Sequence, residues 1–304
     1  MRLRKKPKKS VFPFLPLFLF YFLFFLFIIK KLKYLKLLFF MDGFVFVDKP
    51  KGLTSFQVCE IVKRKLNAKK AGHAGTLDPN VTGLLIVALG KATKLMPLFL
   101  KLDKEYVGLA HLHKDVSLEK LDETIKKDFI GKIKQIPPRR SKVARRLRER
   151  TVYSFKVIKK MNKDFSFKVR CEAGTYIRKL IHDLGIKLKV GAHMKELRRI
   201  KQGPFSLEEA VSLEKLTEKS LKSMEEVITR IAPIVFVSKE AAEKLREGKF
   251  LKAREILKID GKFGKEQLVV AFSEKKIVAI VKPFYKSSEI KKKPGYVLKP
   301  ERVI

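Results

Sequence analysis

Six consecutive apolar residues, Leu84-Leu85-Ile86-Val87-Ala88-Leu89, follow a loop dense in turn residues, His73-Ala74-Gly75-Thr76-Leu77-Asp78-Pro79-Asn80-Val81-Thr82-Gly83. Such a run, bounded by turn signals, predicts a buried strand. A shorter apolar run at 44–47 predicts another strand, and Asp48-Lys49-Pro50-Lys51-Gly52 a turn. Val58, Ile61, Val62 and Leu66 recur at helical spacing. Residues 55–66 therefore read as an amphipathic helix capped by Thr54 or Ser55. A strand from Lys104 to His113 follows, then a helix over 118–129 that Gly131 ends. Tyr153, Phe155 and Val157 alternate with polar residues, as do Phe165, Phe167, Val169 and Cys171, which predicts a hairpin of half-buried strands. Ile177, Leu180, Ile181 and Leu184 mark one face of a helix, with Thr175 as its cap and Gly185 as its stop. Residues 191–199 read as a loop and a short strand or helix. Gly203-Pro204-Phe205 breaks the chain, and 207–216 carries helical signals. From about Pro233 the pattern changes to short strands at 234–237, 268–272, 277–280 and 296–298. A helix at 239–247 ends at Gly248, and a hairpin turn lies at 273–276. This part suits a small β-barrel-like appendage.

Residues 1–40 break the pattern. They hold ten Lys/Arg, no acid, ten of the 24 phenylalanines, and a 19-residue apolar run at 11–29 that contains Pro13 and Pro16. Its length makes a membrane span one reading. Met41 stands directly before the first strand signal, and nothing downstream needs a bilayer. The favoured reading is that translation starts at Met41 and the leader is a gene-call extension.

Charge then narrows the partner. The 304 residues carry 70 Lys+Arg against 31 Asp+Glu, a net charge of +39, and +29 without the leader. A field of that sign favours nucleic acid or an anionic membrane. It concentrates at 139–150, where Arg139, Arg140, Lys142, Arg145, Arg146, Arg148 and Arg150 make seven cations in twelve residues. Cations so crowded repel one another, and phosphates relieve the repulsion. The 46% apolar content can build a core. Cys59 and Cys171 lie far apart with no CxxC, which points to a reducing compartment and away from structural zinc. His111 and His113 share a strand face, and two ligands do not make a metal site.

One carboxylate stands out. Gly75 and Pro79 shape a rigid loop around Asp78 at a strand edge, a common place for chemistry. Taken alone, Asp78 is equally a turn residue that caps backbone N–H groups. A second clue is Arg178, a cation in the first turn of a helix, where it opposes the dipole and calls for a carboxylate. Solvent, Glu172 or Asp78 could serve.

Five motifs in order give the chain a resemblance. They are Gly43-Phe44-Val45-Phe46-Val47-Asp48-Lys49-Pro50-Lys51-Gly52-Leu53-Thr54-Ser55, Lys70-Ala71-Gly72-His73-Ala74-Gly75-Thr76-Leu77-Asp78-Pro79, Lys104-Glu105-Tyr106, Gly174-Thr175-Tyr176-Ile177-Arg178, and Gly191-Ala192-His193-Met194-Lys195-Glu196-Leu197-Arg198-Arg199. Over residues 43–216 the chain resembles the TruB/dyskerin family of pseudouridine synthases. The tail from about 234 resembles a PUA RNA-binding domain, with Lys252-Ala253-Arg254 in place of its usual Pro-Gly turn. Residues 1–40 match nothing in the family. The implied fold class is α+β, a catalytic domain at 41–232 around a central antiparallel mixed sheet, with a small PUA domain at 233–304. The implied activity is an isomerase (intramolecular transferase) that converts RNA uridine to pseudouridine without metal or organic cofactor.

The resemblance also assigns roles. Asp78 becomes the catalytic aspartate, as nucleophile or as base. His73 supports a flipped nucleotide, since the base must leave its stack to react. Tyr106 stacks on the target base. Tyr176 and Leu197 line the substrate pocket, and Arg178 pairs with Asp78. For Lys49 only a structural or RNA-contact role is implied. The expected substrate is tRNA, at uridine-55 of the T-loop, in the cytoplasm. The alternative is rRNA modification with H/ACA guide RNA and small partner proteins. The segments His111-Leu112-His113-Lys114-Asp115-Val116 and 137–150 look like the archaeal-eukaryotic branch. A non-catalytic RNA-binding scaffold is the reading from another class, and the intact Asp78, Tyr106 and Arg178 set argues against it.

Overall fold

The structure, a computed structural model, describes residues 41–137, 144 and 146–304. The leader at 1–40 and the cations Arg139, Arg140, Lys142 and Arg145 lie outside the described residues. Residues 41–304 form one compact unit.

Nine strands make the larger sheet: β1 (Gly43–Lys49), β2 (Ala71–His73), β3 (Thr82–Leu89), β4 (Lys104–Leu112), β5 (Gly131–Gln135), β6 (Arg148–Met161), β7 (Asp164–Cys171), β8 (Ala192–Gln202) and β9 (Phe205–Ser206). Their order is β1-β3-β8-β4-β7-β6-β5, with β2 on β3 and β9 on β8. The pairs are antiparallel except β3 and β8, which run parallel where Thr82 meets Arg198 and Gly83 meets Arg199. The sheet is therefore mixed, and predominantly antiparallel, as expected.

Both faces of β1 and β3 are buried, which explains the unbroken apolar run at 84–89. Leu85, Val87 and Leu89 join one core with Val45 and Val47. Leu84, Ile86 and Ala88 join another with Phe44 and Phe46. The first core is covered by α1 (Ser55–Lys65) through Val58, Cys59 and Val62. The second core contains Leu98 and Phe99 of the short α2 (Pro97–Leu100). In the first, α3 (Leu118–Asp128) adds Leu121 and Ile125, and α4 (Ile177–Lys187) adds Ile177, Leu180, Ile181 and Leu184. The spacing that predicted these helices is thus the spacing of their buried faces. The second core also takes Val227 and Ile228 of α5 (Met224–Ile228).

Beyond α5, a six-stranded sheet runs β11-β15-β14-β13-β10-β12. Its strands are β10 (Ile234–Val237), β11 (Leu251–Lys252), β12 (Ile256–Asp260), β13 (Val269–Ser273), β14 (Lys276–Pro283) and β15 (Tyr296–Val303), with α6 (Lys239–Arg246) packed on it. Glu274 and Lys275, both at positive φ, make the turn between β13 and β14. Ile234, Val270, Phe272, Ile277 and Ile280 share the second core with Phe44 and Phe46. The two sheets are thus joined by apolar packing.

One open choice is settled and three local expectations are corrected. Thr54 caps α1, while Ser55 is turned inward to another task. The cap of α4 is Tyr176, with no side-chain cap bond, and Thr175 Oγ1 donates instead to Glu172 O. Residues 207–216 hold only a 3-10 turn, Leu207–Glu209, because the chain there lies along β1 and Val211 N donates to Phe46 O. Residues 192–202 are one 11-residue strand, because both β3 and β4 pair with it.

Gly185 also does not stop α4, which continues to Lys187. A Cβ there would sit 2.1 Å from Ala192 N, so glycine lets the helix lie against the start of β8. Helix propensity alone would make Gly185→Ala stabilising by about 1 kcal/mol. The backbone contact predicts the opposite sign, a loss of about 1–3 kcal/mol in urea unfolding. An unchanged or raised midpoint would show that the two elements can part without cost.

Candidate active site

The Asp78 loop joins β2 to β3, and its backbone is tied down almost residue by residue. Gln202 Nε2 donates to Ala74 O at 2.6 Å, and an Arg199 guanidinium N–H donates to Gly75 O at 3.1 Å. Ser55 Oγ accepts from Leu77 N at 2.8 Å and lies 3.0 Å from Leu77 O as donor. Lys49 Nζ donates to Pro79 O at 3.1 Å and to Pro50 O and Leu53 O. Gly52 N donates to Pro79 O as well. Each such bond contributes about 1 kcal/mol net, whereas a buried carbonyl left without one costs about 1–3 kcal/mol. The loop therefore holds one shape.

That shape buries Ala74, Leu77 and Val81 and turns Asp78 outward. Gly83, at φ +101°, lets the loop enter β3 beside β8, since a Cβ there would lie 2.3 Å from Arg199 O. Asp78 is bonded by Arg178 of α4, a hundred residues later in the chain, and both side chains are more than half exposed. An ion pair this open contributes only about 0–1 kcal/mol to stability. Holding the carboxylate in place is the larger effect.

The start of α4 is positioned as firmly. Gln135, buried at the end of β5, accepts from Tyr176 N at 3.0 Å and donates to Tyr176 O at 3.2 Å. Glu172 accepts from Thr151 N at 2.9 Å, and Thr175 closes the turn onto Glu172 O. Arg178 is then the second helical residue, where the dipole repels it and Asp78 compensates.

Tyr106 lies on β4 directly opposite Arg199 of β8. Burial pushes its phenol above the usual range, while the neighbouring Arg199 charge and hydrogen bond pull it down and Asp78 pushes it up. His73 ends β2 opposite Val87, and its buried Nδ1 has no hydrogen-bond partner. Burial, and then the Arg199 charge, lower its pKa. Leu197 is buried opposite Gly108 and shares the β8 face of Arg199. The fold thus pairs Asp78 with Arg178 directly, sets Tyr106 in the field of Asp78, and places His73 and Tyr106 around one buried arginine.

The described end of the basic stretch approaches this site from one side. Arg148 and Arg150 open β6, and the Arg150 guanidinium packs on Gly174, 3.2 Å from where a Cβ would be. Arg146 precedes them. His111 and His113 gain a third imidazole, His193, whose Nδ1 lies 3.0 Å from His113 Nε2. His111 is bound to Asp164 instead, and among the described residues no three donors are placed to hold a metal ion.

Sequence reasoning missed Ser55, Arg199 and Gln202 as supports of the loop. The available signal was phase, since Arg199 alternates in step with the buried Leu197. Lys49, given a structural or RNA-contact role, is fully buried, and its burial lowers its pKa against the attraction of Asp78.

Comparison with known proteins adds three family models. One for the N-terminal domain of TruB family pseudouridylate synthases matches residues 63–177, and one for the tRNA pseudouridylate synthase B C-terminal domain matches 178–235. A PUA domain model matches 233–304. "Probable tRNA pseudouridine synthase B" of Pyrococcus abyssi is 39% identical over 279 residues, covering 86% of this chain and 83% of that protein. The protein of that name from Methanocaldococcus jannaschii is 40% identical over 264 residues, covering 82% and 78%. Among solved structures, a chain in a Cbf5-Nop10-Gar1 complex superposes with a TM-score of 0.79 at 40% identity, covering 86% of this chain and 84% of that one. A chain of an H/ACA RNP bound to a substrate RNA containing 2'-deoxyuridine superposes with 0.76 at 38% identity, covering 86% and 84%.

The half-buried His73 gives a pH test. Its folded pKa lies below the free value of 6.5, so as pH falls the unfolded chain takes up this proton first. Below pH 6.5 stability should therefore fall with acidification. His73→Gln is expected to flatten this part of the slope in urea midpoints followed from about pH 7 to pH 5. An identical slope in wild type and variant would mean that His73 titrates freely.

Proposed function

The chain belongs to the TruB family of pseudouridine synthases, isomerases that act on RNA uridine, and we propose that its own substrate is the T-loop uridine-55 of tRNA, with Asp78 as the catalytic carboxylate. The observation that carries the assignment is the exposed Asp78–Arg178 pair on a loop whose backbone is otherwise locked. Such a loop can present one carboxylate to a ribose at a fixed angle. The reaction breaks N1–C1′, turns the uracil, and joins C5 to C1′. A carboxylate serves as nucleophile at the sugar or as base toward a ribose proton.

The other residues take supporting roles in this reading. Neutral, half-buried His73 supports the flipped nucleotide, Tyr106 stacks on the target base, and Leu197 and Tyr176 line the uracil pocket. Arg178 holds Asp78. Residues 41–232 are the catalytic domain and 233–304 the RNA-binding PUA domain. Arg139, Arg140, Lys142, Arg145, Arg146, Arg148 and Arg150 contact phosphates. The compartment is the cytoplasm, which suits the free, buried Cys59 and Cys171. Among the described residues no helix is long and apolar enough to cross a membrane.

Names of the sequence relatives favour tRNA. A second reading, catalysis guided by H/ACA RNA with small partner proteins on rRNA, is favoured by the superposition on chains from Cbf5-Nop10-Gar1 and H/ACA assemblies. Carbodiimide mapping of unmodified tRNA and rRNA transcripts, with and without guide RNA and partners, separates the two. Modification of tRNA by the chain alone is the expected result, and activity only with guide RNA would replace the first reading by the second.

Asp78→Ala should slow pseudouridine formation by roughly 10⁴-fold or more while tRNA affinity changes little. Retained activity would remove Asp78 from the chemistry. Neutralising Arg146 and Arg148 should weaken tRNA binding and flatten its salt dependence, by about 0.7–0.9 in log–log slope for each phosphate no longer neutralised. An unchanged slope would count against phosphate binding there.

A further inference from the structure

Helix α1 carries the most exposed large apolar side chain among the described residues, Phe56, at 69% exposure. Packing does not call for it. The buried residues of α1 are Ser55, Val58, Cys59 and Val62, and at 100° per residue Phe56 lies off the face they share. A polar residue would serve the helix there as well. What sets Phe56 apart is its place in the fold.

Two observations give that place. The first runs along the chain. Segment 52–55 lies beside 77–79, because Gly52 N donates to Pro79 O and Ser55 Oγ bonds both N and O of Leu77. Phe56 and Asp78 each follow one member of the Ser55–Leu77 pair, so their Cα atoms are on the order of 10 Å apart. The second runs around the helix. Lys65 Nζ donates at 2.6 Å to Leu213 O, in the segment that lies along β1 through Val211. Phe56 precedes Lys65 by nine positions, about 180° around the helix, and so occupies the opposite flank. β1 pairs with one edge of β3, and β2 and β8 with the other. The flank of Phe56 is therefore the one on the side of β2, which ends in His73, and of β8. The charges there suit a nucleic-acid strand. Lys51 is exposed in the turn before α1, the first turn of α1 holds no acid, and Glu60 is paired with Lys63.

We infer that Phe56 is a stacking platform for the base next to the target uridine in the substrate RNA. A uridine that leaves its stack to react also uncovers one face of each neighbouring base. An exposed aromatic ring beside the Asp78 loop replaces the lost partner, and it does so for any sequence, because every base has a π-face. The inference rests on the reading that Asp78 meets the target uridine. It adds a second point of contact, which holds the strand on one side of the flipped nucleotide. No bond is made or broken at Phe56.

A cycle that crosses the side chain with the base tests it, on the full chain and an unmodified tRNA transcript. Phe56→Ala should weaken tRNA binding by about 5- to 150-fold, the loss of one base–aromatic stack. Its single-turnover rate at saturating tRNA should change by less than about threefold. Phe56→Tyr, which keeps the ring, should bind as the wild type does. The urea midpoint of Phe56→Ala should not fall, since the ring is mostly exposed in the free chain. Removing the base on one of the two sides of the target uridine should weaken wild-type binding by a similar factor, and should weaken Phe56→Ala by less than about twofold more. Equal affinity of Phe56→Ala and wild type would overturn the inference, and so would equal penalties from base removal in both backgrounds. Asp78→Ala in the same assay keeps the two readings apart: retained activity there would refute the catalytic role of Asp78, whatever the Phe56 variants do to affinity.

Discussion

Everything at the site depends on a set of side-chain donors that reach backbone carbonyls of one loop. Gln202, Arg199, Ser55 and Lys49 bond Ala74, Gly75, Leu77 and Pro79 in turn. They come from β8, α1 and β1, so the loop is held by three separate elements of the fold. Loops are ordinarily the mobile part of a protein. Here the loop is bonded to the fold at four carbonyls, and it leaves exposed the proposed catalytic Asp78.

The electrostatics follow from the same arrangement. Lys49 and Arg199 are fully buried and meet carbonyl oxygens rather than carboxylates. Lys104, also buried, donates to Leu100 O and Leu102 O and is lowered to about 8 by burial and by the Arg199 charge. Three buried basic side chains thus lie around the one loop. The cost of burying these cations is offset by carbonyl bonds, which lock the loop at the same time.

The larger sheet explains why so much support can gather in one place. Its β3 and β8 are the parallel pair, meeting at Gly83 and Arg199, where the loop enters the sheet. Helices cover one face of β3, and the other face shares apolar packing with β10, β13 and β14 of the second sheet. The loop thus emerges from a strand with no solvent face to relax toward. The part matched by the PUA family model shares an apolar cluster with the strand that follows the loop.

Local pattern was enough for much of this. The apolar run at 84–89, the helical spacing at 55–66 and 177–184, and the β6–β7 alternation depend on neighbours within a few residues, and those elements are where the pattern puts them. The Asp78 loop stood out because Gly75 and Pro79 restrict the backbone by their own chemistry. Arg178 could be recognised as a cation in need of a carboxylate, because a helix dipole is a local property. Which carboxylate answers it, Asp78 rather than Glu172, needed a contact between residues a hundred positions apart. Only tertiary structure made that choice. It also decided that Gly185 continues a helix, that 207–216 is not one, and that Arg199 lies inside. In each case a contact outside the element itself (Ala192 at the start of β8, β1, or the carbonyls of Leu84 and Gly75) overrides what the local residues prefer.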